Sequence, residues 1–388
     1  MIDIFVFLVV LLLGINAHKV LIKDATYQDI KIAKWLWIYH VSFGVIYWAY
    51  IRFGPGGDAF GYYNTGSVID IGQALQAFYV HGPGTFGMHI LNVLPAKLMG
   101  FFGLSMIYTL IGYFAFLLYY DFFKNRIPFN SKLMGYNLFP LILFLPNLHF
   151  WSAGLGKDTI LFFCIALFVH AMQDPKRYFV RIIFSLALSY LIRPHITIFL
   201  IISYGVAFIL DGRLKAYQKV FLFSIALIGF ILLFDNILTY LKIEELNLET
   251  VDQYSDARLE NTSRSSTGSG LDVSSYPLPL KIFTFLYRPL FFDINNALAV
   301  VASFENLILL VLTLKYLASK PFRAFKKGSY HIKALLIFLV LGAVSFSFIL
   351  GNLGIMLRQK NMFMPALIFT VMWAISYQFQ FSKAIRSS

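Results

Sequence analysis

Charge is scarce in this chain, with only 13% of its 388 residues being Asp, Glu, Lys or Arg. Soluble domains carry about a quarter of their residues as charges, so a water-soluble globular protein is excluded. Cysteine is scarcer still. Cys164 is the single one and lies inside an apolar run, so no intramolecular disulfide can form and the redox compartment cannot be read from it. No spacing of His, Cys, Asp and Glu matches a metal site, and no nucleophile elbow, Walker motif or dinucleotide fingerprint is present. Neither a metal nor a cofactor is expected. No repeat of roughly 20 to 50 residues recurs. The first apolar run lacks a basic n-region, so no cleaved signal is expected there.

What the chain has in abundance is apolar surface: 59% hydrophobic residues and a mean hydropathy of +0.72. That composition is expected of an all-α, polytopic membrane protein forming a single integral domain over residues 1–388. Aromatics reach 18%, with 42 Phe and 23 Tyr. Core packing uses most of them, and lipid-facing helices, interfacial belts or a groove for a long apolar ligand can use the rest. The formal charge of +13 would suit nucleic acid, but the basic residues fall in short loops between apolar runs. That is the positive-inside pattern, and no nucleic-acid partner is expected.

Apolar runs near 2–16, 35–51, 104–120, 134–147, 158–173, 178–192, 196–210, 220–240, 294–314, 334–350 and 362–379 predict about eleven spans, three of them short. Alternation from a cytoplasmic first loop places 21 of the 32 Lys and Arg inside, with the N terminus outside and the C terminus cytoplasmic. Two outer segments do not fit simple spans. Residues 69–100 mix apolar positions with Gln73, Gln76, His81, His89, Asn92 and Lys97, and read as interfacial or re-entrant helices. Residues 241–293 form an extracytoplasmic loop with a flexible Ser/Thr/Gly stretch from Asn261, either a lid or a plain linker. Its end, from Pro277 to Phe292, turns apolar again and predicts a further interfacial or re-entrant helix.

Chemistry-bearing residues gather on the expected outer side. Gly56-Gly57-Asp58 and the pair Tyr62-Tyr63 follow the second run. Glycines permit a tight turn, and Asp58 offers a carboxylate as base, sugar-hydroxyl partner or metal ligand through phosphate. A side-chain-closed turn with interfacial tyrosines explains the same residues. His149-Phe150-Trp151-Ser152 leads through Gly154 and Gly156 to Lys157-Asp158 at a helix start, where free amides and a mobile cation favour an anion. Asp158 as a helix N-cap with a snorkelling Lys157 is the plainer account.

Arg193-Pro194-His195 separates two arms of about 15 residues, or roughly 22 Å of helix against a hydrocarbon core of about 30 Å. With Arg177, Arg181 and Arg213 at the cytoplasmic face, the Arg193 tip stays below the outer surface and needs a partner, either an anionic ligand or Asp58. An interfacial arginine on a hairpin that reaches the surface is the alternative. Arg288 and Arg358 are two more outer arginines at span entrances, and three such forks suit a pyrophosphate if they converge. Each can equally be a headgroup anchor. Glu305 is an intramembrane acid, whether functional or simply hydrogen-bonded to Asn306. His18, His40, His89, His170 and His331 read as interfacial or packed.

Taken together, Gly56-Gly57-Asp58 with Tyr62-Tyr63, His149-Phe150-Trp151-Ser152 with Lys157-Asp158, Arg193-Pro194-His195, Arg288-Pro289 and Asn352-Leu353-Gly354 with Arg358 resemble the scattered signatures of bacterial polysaccharide polymerases. The plan is similar to O-antigen polymerases of the Wzy type and EpsG-like exopolysaccharide polymerases over most of the chain. The resemblance implies a GT-C-like helical fold that joins sugar units carried on polyprenyl pyrophosphate at the outer face of the inner membrane. It implies a polyprenyl-linked sugar and membrane lipid as partners, alongside other polysaccharide-assembly membrane proteins. Asp58, Arg193 and His195 would be catalytic, while Tyr62, Tyr63, His149, Lys157, Asp158, Arg288 and Arg358 would bind substrate. The loop at 241–293 departs from the family in carrying few arginines. Two other readings stand beside this one: a GT-C transferase using a polyprenyl-phosphate monosugar, with Asp58 as its carboxylate, and a polysaccharide or lipid flippase.

Overall fold

The structure, a computed structural model, describes residues 1–54, 56–127, 132–133, 136–211, 269–319 and 321–387, with a few single positions between 212 and 268. Helix dominates, as expected where a lipid-exposed backbone has no water to bond. In chain order the helices are α1 (Ile2–Asn16), α2 (His18–Leu21), α3 (Tyr27–Phe53), α4 (Asp58–Val68), α5 (Ile71–His81), α6 (Thr85–Leu98) and α7 (Phe101–Arg126). They continue with α8 (Leu138–Leu141), α9 (Pro146–Ser152), α10 (Lys157–Ala171), α11 (Phe179–Ile192) and α12 (Pro194–Leu210). After these come α13 (Leu278–Tyr287), α14 (Ala297–Ala318), α15 (Pro321–Lys327), α16 (Tyr330–Ile349), α17 (Leu353–Lys360) and α18 (Met364–Ser387). A two-residue antiparallel ladder pairs Lys132 with Asn137 and Leu133 with Tyr136, and an isolated bridge joins Gly270 to Asn352.

Three helices, α7, α14 and α16, are long and apolar enough to cross a membrane. Two bent pairs, α9 with α10 at 108° and α17 with the following helix at 62°, raise the number to five if each counts as one span. The chain is therefore a helical protein with several helices long and apolar enough to span a membrane, and the count of eleven is not reached among the described residues. The shortfall has physical causes. α1, α11 and α12 are apolar but only 15, 14 and 17 residues long. The expected fourth span is not one helix: residues 136–152 divide into a strand, a kinked turn at Phe139, a 3-10 turn and α9. Pro140 and Pro146 interrupt the run, since proline lacks the amide a helix interior needs. The expected eighth span and most of the loop after it, including Asn261, lie outside the described residues.

Contacts divide the chain into two compact units, residues 1–125 with 140–197 and residues 126–139 with 198–388. In the first unit α7 is the central rod, with most of its length buried. Gly44 of α3 lies against Thr109, and Gly112 lies so close to the Ser152 carbonyl that a Cβ there would sit 1.9 Å from the oxygen. These small residues bring α3, α7 and the turn after α9 within backbone contact. The Tyr113 hydroxyl donates to the Ala33 carbonyl at 2.7 Å, fixing the register of α3 on α7. In the second unit Phe285, Phe338, Phe346 and Phe363 pack as one aromatic cluster joining α13, α16 and the α17–α18 turn.

One end of the first unit is locked by polar side chains. Asp29, in the first turn of α3, accepts from Tyr120 Oη at 2.5 Å, Lys124 Nζ at 2.5 Å and Thr26 Oγ1 at 2.6 Å. Asp121 holds His170 Nε2 at 3.0 Å and accepts from the Lys23 amide at 3.3 Å. Burial alone would raise the Asp29 pKa, but the bonds from Lys124, Thr26 and Tyr120 outweigh it and hold the carboxyl at about 2. The unfolded chain, with Asp at about 3.9, then binds more protons between these values. This contribution to stability is full above about pH 4 and is lost as pH falls towards 2. Acid unfolding of detergent-purified protein should show that loss, and Asp29→Asn should flatten it; equal acid slopes for both would refute the assignment.

Candidate functional site

The candidate site is built where α10 begins and α11 ends. The Arg193 guanidinium meets the Asp158 carboxylate, Nη2 to Oδ1, at 3.2 Å, and both side chains are nearly buried. α11 stops at Ile192, Arg193 is extended (φ −151°, ψ 93°), and Pro194 opens α12 at a position where a helix needs no amide. The expected sunken arginine is thus buried, and Asp158 is a partner to it. Nor is Asp158 the N-cap: Gly156 occupies that position and Asp158 lies in the first turn, where a carboxylate complements the helix dipole.

Depth follows from the neighbouring rods. Thr109 Oγ1 donates to the Ala153 carbonyl at 2.6 Å, just before α10. Thr109 and Gly112 are eight and eleven residues into α7, about 12–17 Å from its start at 1.5 Å per residue. From there the 15 residues of α10 need about 22 Å to bring His170 to Asp121. Short α10 and short α11 therefore meet part-way along α7 rather than at its end.

Around this pair stand groups from two more elements, α4 and α6. Lys157 Nζ donates to Thr85 Oγ1 at 3.0 Å and lies 5.8 Å from the centre of the Tyr62 ring. Tyr62 is buried on α4 and meets His89 of α6 edge-on, with ring centres 6.2 Å apart. The α6 N-terminus is pinned to the end of α11 by the Gly84 amide, which donates to the Leu191 carbonyl at 3.0 Å. Gly87 completes that approach, because a Cβ there would stand 2.1 Å from the same oxygen. Burial, with the nearby Lys157 charge adding to it, lowers the pKa of His89 and favours its neutral form. Thr85 did not stand out in the sequence, and His89 reads there as interfacial or packed. Their spacing of four residues within a polar-flecked helix is the signal that could have found them.

The other expected residues fall differently. Asp58 is exposed in the first turn of α4, one helical turn before Tyr62, and Tyr63 packs against Phe101 at 5.6 Å. His149 is fully buried: its Nε2 donates to the Leu143 carbonyl at 2.7 Å, its Nδ1 meets His40 Nδ1 at 2.9 Å, and Phe116 stacks on it at 4.0 Å. A carbonyl can only accept, so neutral His149 must accept from His40 at its other nitrogen. This is a core contact, not a surface for substrate. His195 lies in the first turn of α12, next to Arg193.

In the second unit Arg288 closes a fork on Asp293, Nε to Oδ2 at 2.9 Å and Nη2 to Oδ1. Lys360 stands beneath it, fully buried. Its Nζ donates to the carbonyls of Leu286 (3.2 Å) and Arg288 (3.4 Å) and to Asn306 Oδ1. Asn306 Nδ2 in turn holds the Pro289 carbonyl at 2.7 Å, and Glu305 is buried beside it. Arg358 is half-buried on α17. Among the described residues no group of three or more His, Cys, Asp or Glu could hold a metal ion. No family model, curated protein or solved structure matches this chain.

Proposed function

We propose that the protein is a membrane glycosyltransferase that joins or transfers sugar units carried on polyprenyl pyrophosphate, at the outer face of a bacterial inner membrane. The observation that supports this reading is the buried pair Asp158–Arg193 with half-buried Lys157 next to it, and Thr85 and Tyr62 beside Lys157. Buried charges in membrane proteins pair with one another and mark substrate or ion pathways. Lys157 and the first amides of α10 present positive ends to a phosphate, and Arg193, paired with Asp158, holds the start of α10 where those amides lie. Arg288 and Arg358, expected from the sequence to bind substrate, belong to the second unit. In the step itself, the acceptor oxygen bonds to the anomeric carbon of the donor sugar. The bond from that carbon to the pyrophosphate breaks, and its electron pair leaves on the phosphate, where the cations stabilise it.

A second reading, transfer from a polyprenyl-phosphate monosugar, is favoured by Asp58 standing one turn before Tyr62. Deleting the gene should leave single repeat units on lipid. Complementation with Lys157→Met or Arg288→Gln should restore less than a tenth of the polymer. Wild-type polymer from both variants would sink the first reading, while loss with Asp58→Asn and activity on a monophosphate donor would establish the second.

A further inference from the structure

The transfer needs a group that takes the proton from the attacking hydroxyl, and the resemblance offers Asp58 and His195 for catalytic roles. We propose that His89 is this base, acting in the transfer proposed above, on which the assignment rests. His89 is half-buried on α6, one turn beyond Thr85, which accepts from Lys157, and its ring meets Tyr62, which Lys157 also approaches. It therefore belongs to the phosphate-facing group and keeps an exposed edge a hydroxyl can reach. His195 adjoins the Arg193 charge instead, and Asp58 is an exposed carboxylate in the first turn of α4.

The surroundings of His89 are mixed in a useful way. Tyr62 faces it from α4 and Lys157 from α10, while on its own helix Phe86 meets it edge-on at 5.7 Å and is itself stacked by His81 of α5. Lys157 is the fixed charge in that set. Without ligand, burial and Lys157 keep the imidazole neutral and a weak base. When a pyrophosphate binds Lys157, the nearby field changes sign, and His89 gains proton affinity as the acceptor hydroxyl arrives. After transfer the imidazolium lies beside the departing anion. The proton moves from the hydroxyl to His89, the new carbon–oxygen bond forms, and the electron pair of the broken bond stays on the pyrophosphate.

Two measurements test this. The first follows modification of His89 by diethyl pyrocarbonate against pH, read by peptide mass spectrometry on the full-length protein in liposomes. Inorganic pyrophosphate should raise the pH of half-maximal modification, Lys157→Met should raise it without pyrophosphate, and the two effects should not add. No shift in either arm overturns the proposal. The second follows chain extension with lipid-linked repeat units extracted from the deletion strain. His89→Gln should slow it by about 100-fold, the lower end for a lost general base, and His81→Gln should leave it unchanged. His89→Gln activity above half of wild type overturns the base assignment alone. No extension by the wild-type protein overturns the function reading and this proposal with it.

Discussion

Arg193→Ala is expected to destabilise the first unit by about 3–5 kcal/mol, the range for removing one partner of a buried ion pair. The loss is mainly not the attraction itself. Asp158 is buried, and truncating Arg193 leaves its carboxylate without the cation 3.2 Å away. The site has no easy relief, since Asp158 is fixed in the first turn of α10 and Arg193 is held extended between α11 and Pro194. Asp158→Asn alone should also destabilise, by leaving the guanidinium buried. The double variant should be more stable than the two single losses predict, with a coupling of about 1–3 kcal/mol. Thermal unfolding in detergent, followed by tryptophan fluorescence, measures all three. Strict additivity would show that the pair does not form, whatever the single variants do.

The same site shows how far the sequence could be read. Two apolar arms too short for the bilayer, with Arg193-Pro194 between them, correctly predicted a buried arginine at a helix break. They could not name Asp158, because that pairing depends on where the turn after α9 lies against α7. The lodging of that turn rests on Gly44, Gly112 and Gly154, and a hydropathy average does not register glycine contacts. Residues 134–147 were misread for a related reason: their mean apolarity suits a span, yet Pro140 and Pro146 break it. The helices expected over 69–100 and near 277–292 are present as α5, α6 and α13, since local polarity and proline placement carry that information. His149 looked like a site residue because it lies beside a glycine-rich turn. Its burial against Phe116 and His40 is a tertiary fact.

In the second unit, Lys360→Met should have the next largest effect, again about 3–5 kcal/mol. A lysine at a helix end ordinarily snorkels to water. Instead its ammonium is fully buried and spans α13, α14 and α17: it ties down the carbonyls of Leu286 and Arg288 and grips Asn306, which holds Pro289. Met matches the length of the stem but donates nothing. Two helix-end carbonyls and the Asn306 oxygen would then lose a charged donor, and buried Glu305 would lose a compensating charge. Glu305→Gln should therefore rescue part of the loss in the Lys360→Met background while adding little benefit to the wild-type protein. The Arg288 backbone is set by the same ammonium, so the Lys360→Met protein should also misplace the Arg288 fork on Asp293. Thermal unfolding of the four proteins in detergent gives the stability terms. A Lys360→Met protein as stable as wild type would mean that this amine does not hold the chain ends together.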